Sequence, residues 1–128
     1  MNGKLLLDTN VVLGLLKGQK ADVAFLRKHA DYSLYVSVIT RMELLSFHSL
    51  GKEEEDAIQE FLDAVVVIPL SKDVEDVSIN LRRATRRKLP DSIVAASAVV
   101  SGAILLTNDR ELATTAFPGL KTQSPCND

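Results

Sequence analysis

Four acidic residues, distant from one another in the chain, could share a single site. Asp8 follows the apolar run LLL and Asp109 follows ILLTN, while Glu43 and Asp91 lie in segments with helical patterns. Carboxylates gathered in one place repel one another and cannot all stay ionised without a cation, and their oxygens suit Mg²⁺ or Mn²⁺. Such a cation promotes the hydrolysis of phosphate esters. The four acids therefore predict metal-dependent hydrolysis of phosphodiester bonds.

Each acid, taken singly, also has a purely structural explanation. Asp8 and Asp109 can cap the helices that follow them, because an aspartate side chain accepts hydrogen bonds from the free N–H groups of a helix start. Glu43 stands three residues after Thr40, which is the spacing of a capping box. The joint placement of the acids favours a shared site over a set of independent caps.

The polar neighbours of the acids are candidates for supporting roles. Thr9 and Asn10 follow the first acid, and Asn108 precedes the last one. Amide side chains can orient water or ligands, although an Asn beside a turn also serves the geometry of the turn. His29 and His48 lack the spacing of zinc ligands, and the sequence contains neither a Walker loop nor a GxGxxG motif.

A run of positive charge comes just before Asp91. Its guanidinium groups could contact the backbone phosphates of a nucleic acid, and an equally open alternative is interaction with the end of a helix together with solubility. The members of the run are Arg82, Arg83, Arg86, Arg87 and Lys88. Arg41 and Arg110, each close to one of the acids, are weaker candidates for contact with phosphates.

The elements that must position these residues alternate between strand and helix. Apolar runs ending in an acid or a turn predict buried strands, and such alternation is typical of an α/β fold with a parallel sheet. The carboxyl ends of parallel strands meet at one edge, where ligands bind. The predicted strands are 5–7, 34–36, 64–68 and 103–106, with helices over 11–16, 21–29, 37–50, 52–63, 71–88, 91–101 and 110–116. The tail after residue 121 adds an edge strand or is irregular.

Composition limits the class of protein. With 128 residues, of which 46% are hydrophobic and 25% charged, the chain is expected to form one globular domain over residues 1–128. The presence of only six aromatic residues (Phe 4, Tyr 2, Trp 0) argues against a base-stacking platform for single strands. A net charge of -2 gives no overall attraction to a polyanion, so any contact with nucleic acid must come from a local basic patch. Cys126 is the only cysteine, which excludes a disulfide framework and agrees with a reducing cytoplasm. No apolar run is long enough to span a membrane, and no signal peptide is evident.

Four stretches together resemble the PIN-domain nucleases, and among them the VapC-type toxins of toxin–antitoxin pairs. The stretches are LLLDTNVVLGLL, SVITRMELL, KLPDSIVAASAVV and ILLTNDREL, in this order along nearly the whole chain. The resemblance implies a PIN-like three-layer α/β/α fold and an endoribonuclease that depends on Mg²⁺ or Mn²⁺. It also implies a homodimer, inhibited by a VapB-like antitoxin that lays a C-terminal segment into the active-site groove.

The same resemblance assigns roles to individual acids. It makes Asp8, Glu43 and Asp91 metal ligands and catalytic residues. Asp109 is the fourth acid by this carry-over, with Glu111 as the alternative, because family members often have an Asn followed by an acid a few residues later.

Two other functions fit part of the pattern. An Asp at the end of a central strand also begins receiver and haloacid dehalogenase-like phosphoacceptor domains. Dehalogenase-like phosphatases need a second Asp where this chain has Asn10, and receivers have no acid matching Glu43. A PIN-like domain that binds RNA or protein without cleaving is the other alternative, and the complete set of acids argues against it.

Overall fold

The computed structural model of the protein describes residues 3–127, without the side chain of residue 127. In this part of the chain, five strands and seven α-helices alternate. The strands are β1 Lys4–Leu7, β2 Ser33–Ser37, β3 Val66–Ile68, β4 Ile104–Leu106 and β5 Thr122–Gln123. The helices are α1 Thr9–Leu16, α2 Lys20–Lys28, α3 Val38–Leu45, α4 Lys52–Asp63, α5 Lys72–Thr85, α6 Leu89–Ser101 and α7 Arg110–Ala113.

The sheet is parallel throughout, with the order β3-β2-β1-β4-β5. The strand β1 is therefore central, as its three leucines predict, and all three are completely buried. Leu5 and Leu7 pack with side chains of α1 to α4 on one face, whereas Leu6 packs with side chains of α5 and α6 on the other. Helices on both faces confirm the predicted α/β/α fold.

The helix α6 is as deeply buried as its small residues predict. Ala95, Ala96 and Ala98 have no exposed surface, so the helix lies close against the sheet and against α5. Pro90 lies in the first turn of α6, where its missing N–H leaves no helical hydrogen bond unmade. Asp91, one residue later, is thereby fixed at the start of α6.

Several predictions about local structure are wrong in detail, among them the helix over 71–88, which ends at Thr85. The helix expected over 37–50 ends at Leu45, since the Ser46 hydroxyl donates to the Glu43 carbonyl and the backbone leaves the helical conformation. The capping box between Thr40 and Glu43 does not form, because Ser37 is the N-cap of α3 and accepts from the N–H of Ile39. The last predicted helix stops at residue 113 instead of 116.

The tail forms the edge strand β5, which pairs with β4, followed by a 3₁₀ turn at Pro125–Asn127. Of the two possibilities left by the sequence, the edge strand is the one observed. Within residues 3–127, no helix has both the length and the apolar character needed to cross a membrane.

Candidate active site

Asp8 lies at the carboxyl end of the central strand, and its side chain is only 8% exposed. Its Oδ1 accepts from the N–H of Thr9 (2.9 Å), which makes Asp8 the N-cap of α1. Its Oδ2 accepts from the hydroxyl of Thr107 (2.7 Å) and from Nδ2 of Asn10 (3.2 Å). The two explanations offered for Asp8, a helix cap and a member of a shared acidic site, are therefore compatible, because the same carboxylate can serve in both roles.

Glu43 is connected to the Asp8 end of α1 through Thr9, the residue that follows Asp8. The hydroxyl of Thr9 donates to Glu43 Oε1 (2.6 Å), and Thr9 Oγ1 also lies 3.0 Å from the hydroxyl oxygen of Thr40. A hydroxyl has one hydrogen to give, so Thr40 is the donor in its contact with Thr9. The start of α1 is thus joined to α3 through the Thr9 hydroxyl.

Asp109 reaches the site from the strand on the other side of β1. Its Oδ1 accepts from the N–H groups of Glu111 (2.9 Å) and Leu112 (3.3 Å), so it caps the short helix α7. Its own N–H donates to the hydroxyl of Thr107 (3.0 Å), the same hydroxyl that donates to Asp8. Thr107 is fully buried and joins the first and last acids. This role of Thr107 was not predicted, because its partner Asp8 lies 99 positions away in the chain.

The acids influence one another through space. Burial raises the pKa of Asp8 above its ordinary value of 3.8, and the negative charges of Asp91 and Glu43 raise it further, against the hydrogen bonds from Thr107 and Thr9. Burial also raises the pKa of Asp91, with Asp109 and Glu43 adding to the effect. The carboxylates of Asp8, Glu43, Asp91 and Asp109 consequently lie in one negatively charged region, as the parallel sheet predicts.

These acids suit a divalent cation by their chemistry but do not yet enclose one. The ligands on offer are carboxylate oxygens, which Mg²⁺ and Mn²⁺ prefer, and a cation would relieve the repulsion that raises the pKa of Asp8 and Asp91. In the part of the chain that the structure describes, however, no three acidic, His or Cys side chains are close enough to hold an ion.

The predicted basic run divides into residues with different environments. The Arg87 side chain, 28% exposed, forms an ion pair with Glu111 (2.9 Å) and donates to the Thr115 hydroxyl (3.0 Å). Arg82 donates to the carbonyl of Arg87 (3.1 Å). Arg86 is exposed and adopts a left-handed conformation (φ 61°) at the end of α5. Arg87 is thus part of the framework, whereas Arg86 is presented to solvent.

The ion pair also bears on the choice of the fourth acid. Glu111 is held by Arg87 and is largely exposed, with 81% of its side chain accessible. Asp109, in contrast, raises the pKa of Asp91. The structure therefore favours Asp109 over Glu111 as the fourth member of the group.

The other predicted candidates lie around this region. Lys88 precedes the first residue of α6 and is exposed, and its positive charge partly offsets the rise in the pKa of Asp91. Arg41 and Arg110 are exposed on α3 and α7. His29 stacks on the ring of Phe25, and its Nδ1 lies 2.8 Å from the Phe25 carbonyl, which agrees with a structural role.

Asn10 and Asn108 belong to a hydrogen-bond network that includes Asp22, an acid that was not predicted to lie near the site. The Oδ1 of Asn10 accepts from the N–H of Asn108 (3.0 Å), and the Nδ2 of Asn108 donates to Asp22 Oδ1 (3.0 Å). Asp22 is only 2% exposed. A charged residue is seldom buried without partners, but its position on α2 gave no sign of burial in the sequence.

A sequence comparison now decides the family. The family model described as PIN domain matches residues 5–118. The chain belongs to the PIN-domain family. This match covers all four motifs and all four acids of the site. Among curated proteins, none matches the sequence significantly.

Solved structures with this fold include several toxin–antitoxin complexes. A toxin–antitoxin complex from Klebsiella pneumoniae shares 26% identity and a TM-score of 0.80, over 95% of this chain and 98% of that chain. VapBC2 from Rickettsia felis, bound to a promoter DNA fragment, gives 22% identity and 0.79 over 94% and 97%. DNA-bound VapBC from Salmonella typhimurium gives 21% and 0.81 over 98% and 100%. The predicted membership of the PIN-domain family is confirmed, and the VapBC structures share its fold.

Proposed function

We propose that this PIN-domain protein is a divalent-metal-dependent endoribonuclease and the toxin of a VapBC-type pair. The observation that carries the proposal is the convergence of Asp8, Glu43, Asp91 and Asp109, where burial and, in addition, the neighbouring negative charges raise the pKa of Asp8 and Asp91. A divalent cation, when bound, makes water more acidic and neutralises charge that develops on a phosphate. Similarity to the toxin–antitoxin complex from Klebsiella pneumoniae supports the biological role.

The acids and the polar residues around them have different proposed roles. Hydrogen bonds from Thr107, Asn10 and the Thr9 N–H hold the Asp8 carboxylate in one orientation. Asp91 is partly exposed at the start of α6, so its carboxylate can reach both the cation and solvent. We propose that these two acids bind the cation directly, with Glu43 and Asp109 completing the set.

The proposed partners follow from the same similarity. VapBC complexes contain an antitoxin together with the toxin, and we propose a VapB-like antitoxin and a cytoplasmic location for this protein. We also propose a homodimer. Large apolar side chains about half exposed on the helices and on the turn before α5, Met42, Leu70 and Ile79, are available for contacts between protein chains.

The substrate is tested by comparing RNA with DNA of the same base sequence. We expect the purified protein with Mn²⁺ to cut the RNA internally, as seen on denaturing gels, and to leave the DNA largely intact. Cleavage of both RNA and DNA would still support a nuclease but would contradict the proposed preference for RNA. No cleavage of either would favour a PIN-like binding module. Labelling by acetyl phosphate would indicate a phosphoacceptor, which disagrees with the buried, hydrogen-bonded Asp8 carboxylate.

The basic run gives a second prediction, in which Arg86 and Arg87 behave differently. Arg86→Gln removes an exposed charge, so RNA affinity should fall and the slope of log K against log salt should flatten by about 0.7, the value for one phosphate contact on a single strand. Arg87→Gln breaks the ion pair with Glu111 and should instead lower the thermal unfolding temperature. Fluorescence anisotropy at several salt concentrations measures the slope. An unchanged slope for Arg86→Gln would leave Arg86 as surface charge.

A further inference from the structure

Asp22 is a buried acid for which the proposed chemistry has no use. It lies in the first turn of α2, where a negative charge interacts favourably with the helix dipole. An acid that serves only the dipole can stay in water, and the acids in the first turn of α4, Glu53 among them, are exposed. Asp22 is 2% exposed, so its carboxylate gives up hydration that the dipole alone does not require.

The backbone of α1 is shaped to receive this carboxylate. Gly14 lies buried within α1, and a Cβ atom at this position would stand 1.8 Å from Asp22 Oδ2. Glycine inside a helix costs about 1 kcal/mol relative to alanine. Gly14 therefore lowers the stability of α1 relative to alanine but leaves the space in which the Asp22 carboxylate lies against this helix.

Asp22 is connected to Asp8 by three consecutive hydrogen bonds. Asp22 Oδ1 accepts from Asn108 Nδ2, the Asn108 N–H donates to Asn10 Oδ1, and Asn10 Nδ2 donates to Asp8 Oδ2. Each bond fixes the next group. Because Oδ1 of Asn10 is held by Asn108, the amide of Asn10 must present its Nδ2 to Asp8.

We propose that Asp22 is a positioning residue for the acidic site. It holds Asn108 against α1 and α2, Asn108 holds the amide of Asn10, and Asn10 orients the Asp8 carboxylate that would bind the cation. This inference rests on the proposed function for its effect on metal binding, but the orientation of Asn10 is a property of the protein alone. Partners of this kind, which act through a metal ligand, typically change metal affinity by roughly 10- to 100-fold.

The test compares three variants of the whole chain. Asp22→Ala removes the acceptor of the Asn108 hydrogen bond. Gly14→Ala displaces the Asp22 carboxylate without removing any polar group from the protein. Glu53→Ala is the control, because it removes an exposed acid from the first turn of another helix. The readouts are the NMR signals of the Asn10 side-chain NH₂ group in metal-free protein and the Kd for Mn²⁺ measured by calorimetry without RNA.

We expect Asp22→Ala and Gly14→Ala to shift the Asn10 signals and to raise the Kd for Mn²⁺ about tenfold or more. Glu53→Ala should change neither. Asp22→Asn keeps an oxygen that can accept from Asn108, so it should retain the wild-type signals. If Asp22→Ala does not fold, Gly14→Ala decides the question, because alanine favours the helix.

Unchanged Asn10 signals and an unchanged Kd would overturn the proposal, even if the unfolding temperature fell, because Asp22 would then only stabilise the helix start. If the wild-type protein binds no Mn²⁺, the proposed function fails instead. The Asn10 signals then decide the positioning role by themselves.

Discussion

Asp91→Asn is expected to slow RNA cleavage by roughly 10³-fold, because loss of a metal ligand removes several kcal/mol of transition-state stabilisation. Each tenfold change in rate corresponds to about 1.4 kcal/mol. Asp91 is the acid of the site that is both partly exposed and fixed at the start of a buried helix. Single-turnover cleavage of a fluorescent RNA with saturating Mn²⁺ measures the effect. The exposed Asp63, at the end of α4, gives a matched control, and Asp63→Asn should cleave at the wild-type rate.

The same variant should not be less stable than the wild-type protein when metal is absent. The pKa of Asp91 is raised in the folded protein, so its ionised form costs free energy of folding. That cost is absent below the ordinary pKa of 3.8 and is complete above the raised pKa. Asp91→Asn should therefore unfold at a higher temperature than the wild type at pH 7, and this advantage should shrink as the pH falls toward 3.8.

Two outcomes would contradict the assignment of Asp91. Cleavage within about threefold of wild type would remove it from the catalytic residues, since a difference of that size is under 1 kcal/mol. A variant that unfolds at a much lower temperature at neutral pH would show that the inactive protein is simply misfolded. Circular dichroism of the same samples used for cleavage separates the two cases.

Removal of divalent metal is the second large effect expected. In excess EDTA, cleavage should fall to the level of a protein-free control, and added Mn²⁺ should restore it. Metal should also stabilise the fold, because it binds the folded protein and relieves the repulsion of Asp8 by Asp91 and Glu43. At a free Mn²⁺ concentration of about 100 times the Kd, the gain is roughly 2.7 kcal/mol.

Thermal unfolding with and without Mn²⁺ provides the measurement. The wild-type protein should gain stability on addition of Mn²⁺, and Asp8→Asn should gain much less because it lacks the ionised carboxylate. Ca²⁺, which is larger and bound with looser geometry, is a useful comparison ion. Cleavage that persists in EDTA would refute a metal-dependent mechanism, whatever the stability data show.

The central strand and the order of the elements could be predicted because they depend on local patterns. Three adjacent leucines before Asp8 indicated a strand buried on both faces, and Leu5, Leu6 and Leu7 are indeed completely buried. Parallel strands then placed Asp8 and Asp109 at the same edge of the sheet. The convergence of the acids followed from this topology, without knowledge of any contact.

The contacts within the site could not be predicted because they join distant parts of the chain. Glu43 was matched with Thr40 by local spacing, but its partner is Thr9, 34 positions away. The bonds from Thr107 to Asp8 and from Asn108 to Asp22 span 99 and 86 positions. Spacing rules describe neighbours on one helix, and the site is assembled from groups brought together by the sheet.

The place of Thr107 has a consequence for the synthesis of the protein. During translation Asp8 is synthesised 99 residues before Thr107, which β4 brings to its side together with Asp109. Until then Asp8 lacks its hydroxyl donor and the fourth carboxylate is missing. A protein proposed to cleave RNA would thus lack its complete acidic site until β4 has been synthesised and has paired with β1.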